Sequence, residues 1–535
     1  MTQMLTIADA VATHARLTPD KRGARDSRRS LTYAQWHDRA TRLAAGLRGL
    51  GLAKGDRVGV VAFNRIEWME IYVAMARAGL VVVPINFRLS APEMAYILGH
   101  AEVGALIAGP EFCATVDGIR GEWALPAGRH VVLPAVDGSA AGAGSPADAP
   151  PAGWRSYEAL IASGDPSYVF EPVGEHDICA LMYTSGTTGR PKGAIRRHGG
   201  STLIALATAL EMGFTRDDTA LLVMPLCHAN SLYFGTTFIH AGGTCIIDDR
   251  RSFDPEALLA TLAGERVTFT SLVPTHYIML LALPDEVKRR HDVSAVGKLM
   301  VSSAPARRDT KLAILDFFRN GRLYELYGST EAGWVTLLRP DEQISKLGSV
   351  GREWAGSGAI RLLDEQRREV ADGEVGELFS RTAYVFDGYW KNPQKTAEAF
   401  DGAWCSVGDM ARRDADGYIW LVDRKSNMII TGGENVYPSE VEGVLGAHPA
   451  VKDVAVIGMP HDKWGETVQA VVVLHDGAQA DAQALRDWCR ARLAGFKCPT
   501  AFDFIADADM PRTATGKILH RVLRQRLEAP APVDA

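Results

Sequence analysis

The chain reads as an α/β protein: a large N-terminal domain of mainly parallel sheets flanked by helices, followed by a small α+β domain. Three observations predict this. Its 535 residues exceed what one core holds, so two or more domains are expected. Short apolar runs alternate with helix-period stretches through the first four hundred or so residues, the pattern of strand–helix–strand units. From about Lys425 the texture changes to shorter, mixed elements.

Taken in order, Thr32 is an N-cap candidate for a helix with Trp36, Ala40, Leu43 and Leu47 on one face and Gly51 as its stop. Residues 57–62 read as a strand, 68–77 as a helix ended by Gly79, and 81–84 as a buried strand. The alternation continues through 105–107 and 130–133. Residues 134–153 are dominated by Ala, Gly and Pro and read as a loop or insert inside the large domain. Ile178, Ala180, Leu181 and Met182 form the next strand, and 201–210 a helix with Leu203, Ala207 and Leu210 at helical spacing. Strands follow over 219–224, 244–247, 267–272, 299–302 and 323–327, with a helix around 311–318. Beyond 425, strands over 428–430, 454–457 and 468–474 and helices near 439–445 and 482–493 make the small unit. The boundary is placed at 424–426, dividing the chain into 1–424 and 425–535. The last nine residues, 527–535, are expected to fray.

Composition narrows the function. Hydrophobic content of 47% and charged content of 23% are those of an ordinary globular protein. A net charge of −6 gives no basic surface for nucleic acid. The seven cysteines contain no Cys-x-x-Cys pair, which argues against a zinc site or disulfide framework and suits a reducing compartment. Without a signal-like start or an eighteen-residue apolar run, the expectation is a cytoplasmic protein with no transmembrane segment.

The most informative stretch is Thr184-Ser185-Gly186-Thr187-Thr188-Gly189-Arg190-Pro191-Lys192-Gly193. Glycines let a backbone approach an anion, while N–H groups and hydroxyls supply donors, so a strand entering such a loop can hold phosphate. It lacks the Gly-Lys-Ser/Thr ending of the usual nucleotide P-loop, and Pro191 argues against a helix starting there. Read alone, a polar surface turn is the alternative. The string resembles the phosphate-binding loop of the AMP-forming acyl-adenylate ligases: acyl-CoA synthetases, peptide-synthetase adenylation domains and luciferases. The likeness recurs at five further stretches, from about residue 31 to 523.

A second stretch, Tyr324-Glu325-Leu326-Tyr327-Gly328-Ser329-Thr330-Glu331, combines an aromatic, a sharp-turning glycine and a carboxylate that a metal can use. The resemblance implies that Tyr327 stacks on adenine beside Gly328, that Thr330 contacts phosphate, and that Glu331 holds Mg²⁺. Ser303, Ala304 and Pro305 are then expected on the other side of the base. In Trp404-Cys405-Ser406-Val407-Gly408-Asp409, a carboxylate can accept both ribose hydroxyls, and Asp409 takes that role. Relatives often carry His-Thr or Arg-Thr at Ser406-Val407. Arg424, in Asp423-Arg424-Lys425-Ser426, is expected on the ribose or phosphate side. Two residues on, Ser426 stands where relatives carry a charged hinge residue for rotation of a mobile small domain.

In Thr513-Ala514-Thr515-Gly516-Lys517, a lysine on a glycine-containing loop can bridge the acid's carboxylate and the α-phosphate. The resemblance makes Lys517 the adenylation lysine. His228 matches an aromatic or His at the mouth of the acid pocket and is counted with Lys517 and Glu331 as catalytic; a satisfied core histidine is the alternative. Tyr233, Phe234, Val273, Thr275, Ser302 and Trp334 are candidate pocket walls. No Asp lies in 228–235, where amino-acid-activating relatives anchor an amino group. Gly433 and Trp464 match positions lining the pantetheine tunnel, and Phe496-Lys497-Cys498 the CoA nucleotide contacts.

The reading is an ATP- and Mg²⁺-dependent acyl-CoA ligase: a small carboxylic acid is adenylated with release of pyrophosphate, then transferred to coenzyme A with release of AMP. Fatty acid metabolism and domain alternation go with that class; a homo-oligomer stays open. The alternative is an adenylating enzyme that loads a carrier protein, although no extra insert is visible between Glu331 and Gly376. A luciferase-like oxygenase and a nucleotide-sensing module without turnover are more distant readings.

Overall fold

A computed structural model describes residues 5–123, 125–126, 128–135, 150–184, 190–302, 306–431, 434–513 and 516–528. The chain divides into two compact units. The first takes Met1–Ala359 with Ser380–Cys405; the second takes Ile360–Phe379 with Ser406–Ala535.

Two sheets build the first unit. The larger has eight strands, in spatial order Gly333–Leu338, Arg322–Ser329, Lys298–Ser302, Phe269–Leu272, Thr219–Leu222, Thr244–Ile247, Arg22–Arg25 and Ser30–Thr32. All neighbours are parallel except the outermost pair at each edge. The other sheet has seven strands, ordered Arg155–Ser156, His130–Val132, Val103–Ala108, Arg57–Val61, Val81–Ile85, Ile178–Thr184 and Lys192–Arg197. Only its last pair is antiparallel. Val81–Ile85 is buried at every position, as expected for an apolar run inside a parallel sheet covered on both faces. The helices Tyr33–Gly49, Glu67–Ala78 and Ala229–Ala241 contribute to one continuous core with strands of both sheets. Mainly parallel sheets flanked by helices are thus the architecture found.

Local signals set the helix ends. Thr32 caps Tyr33–Gly49 reciprocally: its side chain accepts from the Gln35 backbone and Gln35 returns to the Thr32 N–H. Gly79 ends Glu67–Ala78 in the left-handed conformation at φ 66°.

Several expectations are corrected. The helix His198–Met212 buries Thr202, Ile204, Ala205, Thr208 and Met212; Leu203 and Ala207 are partly buried against the same core, whereas Leu210, expected with them, is 78% exposed. With apolar residues all round this helix, spacing alone could not choose the buried side. Lys192–Arg197 was not expected as a strand, nor were Gly333–Leu338, Ser357–Leu363, Val375–Thr382, Asp409–Arg413 and Ile419–Arg424. Leu527 and Glu528, expected to fray, close the helix His520–Glu528. Most of the loop expected over 134–153 lies outside the described residues.

In the second unit, Asp409–Arg413 pairs antiparallel with Ile419–Arg424 and with the 375–377 end of Val375–Thr382. A second sheet runs Glu434–Val436, Ile429–Thr431, Gly465–Leu474 and Val451–His461, with Ala501–Phe504 parallel to Gly465–Leu474. The helices Pro438–Gly446 and Ala482–Arg490 pack on it through Val441, Leu445, Leu485 and Cys489. By their contacts, residues 406–424 group with this unit. The cause is local bonding: Lys425 N donates to Gly408 O at 2.7 Å, and Ser439 N to Asp423 Oδ2 at 2.8 Å.

Candidate active site

The glycine-rich stretch joins two antiparallel strands, Ile178–Thr184 and Lys192–Arg197, with Thr184 and Lys192 in register across the ends. Residues Ser185, Gly186, Thr187, Thr188 and Gly189 lie outside the described residues, as do Ser303, Ala304, Pro305 and Gly433. The described ends of the hairpin converge on Glu331. Thr184 Oγ1 donates to Glu331 Oε1 at 3.1 Å. Tyr389 OH donates to the same oxygen at 2.9 Å. Glu331 is 7% exposed, so its carboxylate is desolvated and depends on these donors.

Tyr389 arrives there through backbone pairing. Ile195 N donates to Gly388 O, Asp387 N to Ile195 O, and Trp390 N to Gly193 O, which lays 387–390 along the second strand of the hairpin. Lys192 Nζ then sits 4.2 Å from the Tyr389 ring centre, a cation–π contact. Tyr389 was not singled out from the sequence; an aromatic after Gly388 was the available signal.

Tyr327, Gly328 and Thr330 sit where Arg322–Ser329 turns into Gly333–Leu338, with a register shift at Tyr327/Gly328. A Cβ on Gly328 would lie 2.3 Å from Gly333 O, so the two strands approach too closely for any side chain there. The expected turn and its glycine are present, and Glu331 lies at the tip.

The residues expected as pocket walls lie in the same unit, and several of them pack together. Tyr233 and Phe234, on Ala229–Ala241, pack against Trp334 with ring centres 5.3 and 5.5 Å apart. Trp334 Nε1 donates to Thr208 Oγ1 at 3.0 Å, and its carbonyl accepts from Tyr384 OH at 2.7 Å, which fixes the indole. Asn230 Nδ2 donates to Ser271 and Ser302 hydroxyls at 3.2 and 2.7 Å. Val273 is buried; Thr275 is exposed. His228 Nε2 has no hydrogen-bond partner among the described residues, and burial, aided by Arg88, pushes the imidazole down to about 4. It is neutral near pH 7.

The second unit brings three expected residues together. Arg424 Nε donates to Asp409 Oδ1 at 3.0 Å, from facing ends of adjacent strands. The Lys517 ammonium is held below the ordinary lysine value, chiefly by desolvation and then by Arg424, with Asp409 and Asp423 pulling the other way. The Lys517 side chain itself remains exposed. Ser406 Oγ donates to Glu377 at 2.7 Å and accepts from Gly408 N at 3.0 Å, bracing the turn before Asp409. Lys425 Nζ donates to the other Glu377 oxygen at 2.9 Å. Trp464 is half exposed in the turn between two strands, with Lys463 Nζ 4.6 Å from its ring.

A glycine-rich hairpin closed on a buried carboxylate, and a second unit carrying a lysine near an Asp–Arg pair, is the layout of an acyl-adenylate-forming ligase. The comparisons agree. The family described as AMP-binding enzyme matches residues 11–390, and its C-terminal domain matches 440–517. A feruloyl-CoA synthase from Amycolatopsis is 38% identical over 514 residues, covering 96% of this chain and 97% of the relative. An indoleacetate–CoA ligase from Aromatoleum aromaticum is 34% identical over 525 residues, covering 97% and 98%. The crystal structure of an anthranilate CoA ligase in complex with anthranoyl-AMP superposes with TM-score 0.86 at 27% identity, covering 98% of each chain. This chain belongs to the AMP-binding enzyme family, within it to the AMP-forming acyl-CoA synthetases.

Proposed function

We propose that this protein is an ATP- and Mg²⁺-dependent ligase that converts an aromatic or other bulky cyclic carboxylic acid to its CoA thioester through an acyl-adenylate. The observation that carries this reading is the Glu331 carboxylate, buried at the mouth of the hairpin and held on one oxygen by Thr184 and Tyr389. Its Oε2 accepts no bond among the described residues and is a hard oxygen suited to Mg²⁺. Among the described residues no three His, Cys, Asp or Glu gather to hold a metal alone. Glu331 would hold the ion together with the phosphates of the bound nucleotide. When bound, Mg²⁺ neutralises charge on the phosphates.

The chain's own residues do the rest. Loop donors around 184–192 orient the triphosphate, Tyr327 stacks on adenine, and Asp409 accepts from the ribose with Arg424 beside it. Lys517 meets the negative charge that grows as the acid's carboxylate attacks the α-phosphate; one such fixed donor is typically worth roughly 3–4 kcal/mol. The acid lies against Tyr233, Phe234 and Trp334, whose bulk suits a ring better than a long flexible chain. His228, being neutral, orients the carboxylate by a hydrogen bond and not as a cation. For the second half-reaction the portion beyond 424–426 rotates, withdrawing Lys517 and presenting Gly433 and Trp464 to the thiol. Names of relatives, feruloyl and indoleacetate, support a ring-bearing acid. Among the described residues no helix is long and apolar enough to cross a membrane.

The test is pyrophosphate release with ATP, Mg²⁺ and a panel of aromatic, cyclic and straight-chain acids, with and without CoA. Multiple turnovers only with CoA and a ring-bearing acid are expected. Turnover that needs a carrier protein in place of CoA would refute the acceptor.

A further inference from the structure

We propose that Arg196 is a positioning residue that holds the Glu331 turn; this rests on the reading of Glu331 above. Arg196 is 2% exposed, on the second strand of the glycine-rich hairpin. Among the described residues no carboxylate pairs with it, and its Nε and Nη2 find no hydrogen-bond acceptor. Burying such a charge costs several kcal/mol in general, so a residue serving only to fill space here would be apolar.

Its contacts show where the guanidinium is spent. Nη1 donates to Thr330 O at 3.3 Å and to Glu331 O at 3.2 Å. The group lies over the Tyr233 ring, 5.4 Å from its centre, so the remaining N–H groups face aromatic electron density. Glu331 O also accepts from Phe386 N at 2.8 Å. The backbone of Glu331 is therefore gripped by Arg196 and Phe386, while its carboxylate is gripped by Thr184 and Tyr389. Thr184 and Arg196 stand on the two strands of one hairpin. The element that closes the phosphate loop thus sets both the height of the 330–331 turn and the aim of its carboxylate. Tyr233, on the opposite side of Arg196, ties the same guanidinium to the wall of the acid pocket.

A buried guanidinium whose Nη1 donates to two successive carbonyls makes charge-assisted bonds to the backbone of the turn, stronger than those of a neutral donor. Losing it takes this donor from Thr330 O and leaves Glu331 O to Phe386 N, so the turn is free to shift.

The experiment compares wild type with Arg196→Leu, Arg196→Lys and Glu331→Gln. The first readout is hydrogen–deuterium exchange of the peptide spanning 329–335 in the ligand-free protein. The second is the Mg²⁺ concentration giving half-maximal ATP–pyrophosphate exchange. Arg196→Leu is expected to speed exchange in that peptide about tenfold and to raise the Mg²⁺ requirement about tenfold, with Arg196→Lys restoring most of both. Unchanged exchange in Arg196→Leu, or a lysine variant no better than leucine, overturns the proposal. If Arg196→Leu does not fold, Arg196→Gln, which keeps a donor and loses the charge, carries the comparison. Should Glu331→Gln leave the Mg²⁺ requirement unmoved, the reading of Glu331 fails instead, and amide exchange alone decides the role of Arg196.

Discussion

Tyr389 donates its phenolic hydrogen to Glu331 Oε1 at 2.9 Å while its ring lies 4.2 Å from Lys192 Nζ. One side chain thereby ties the acidic turn to the far end of the glycine-rich hairpin. Removing only the hydroxyl isolates the tie. Tyr389→Phe should lower kcat for adenylation about tenfold or more, the usual cost of a lost bond to a buried charge, with little change in KM for the acid. Steady-state ATP–pyrophosphate exchange measures both; a raised KM with kcat intact would assign Tyr389 to substrate binding.

Lys517 carries a sharper signature. Lys517→Ala should nearly abolish adenylation while sparing thioester formation from supplied acyl-adenylate. Its ammonium, depressed by desolvation and Arg424, loses its proton below the pH at which an ordinary lysine does. Adenylation should therefore fall as pH rises toward, and before reaching, about 10.4, and Lys517→Arg should carry residual activity to higher pH. Equal loss of both half-reactions in Lys517→Ala would contradict the role.

Trp334 limits the depth of the acid pocket in this account. Trp334→Ala should shift preference toward longer or bulkier acids, at a stability cost of about 3–5 kcal/mol for a large buried aromatic. Trp334→Leu should show the same shift at lower cost. Relative kcat/KM across an acid series measures it, and an unchanged profile in both variants would refute the limit.

The buried histidines make stability fall in acid. Burial pushes His198, His228 and His240 down to about 4. In the unfolded chain a histidine titrates near 6.5, so between those values the unfolded state binds more protons. Their contribution is complete above about pH 6.5 and lost as pH falls toward 4, by at most about 1.4 kcal/mol per pH unit for each. Denaturant unfolding at stepped pH should show this slope, and His240→Gln should flatten it.

Much of the first unit was legible because its signals are local. Thr32 with Gln35 starts a helix, Gly79 stops one, and the valines from 81 to 83 announce a strand buried on both faces. The Thr184–Gly193 stretch pointed to Glu331 only through resemblance; their contact, 147 residues apart in sequence, is tertiary. Arg196 and Tyr389 escaped for the same reason. A charge on a strand end reads as solvated, and nothing local says that Arg196 is buried against Tyr233. Leu210 misled because His198–Met212 is apolar on more than one side. Between Glu331 and Arg424 strands such as Ser357–Leu363 and Val375–Thr382 interleave apolar with small and charged residues, so no clean apolar run marked them.

The most direct test of the account is to look for the intermediate. Protein incubated with ATP, Mg²⁺ and a ring-bearing acid, without CoA, should hold about one equivalent of acyl-adenylate by mass spectrometry. Adding CoA should convert it to acyl-CoA and AMP. An adenylate that forms but does not react with CoA, or none across the acid panel, would contradict the assignment.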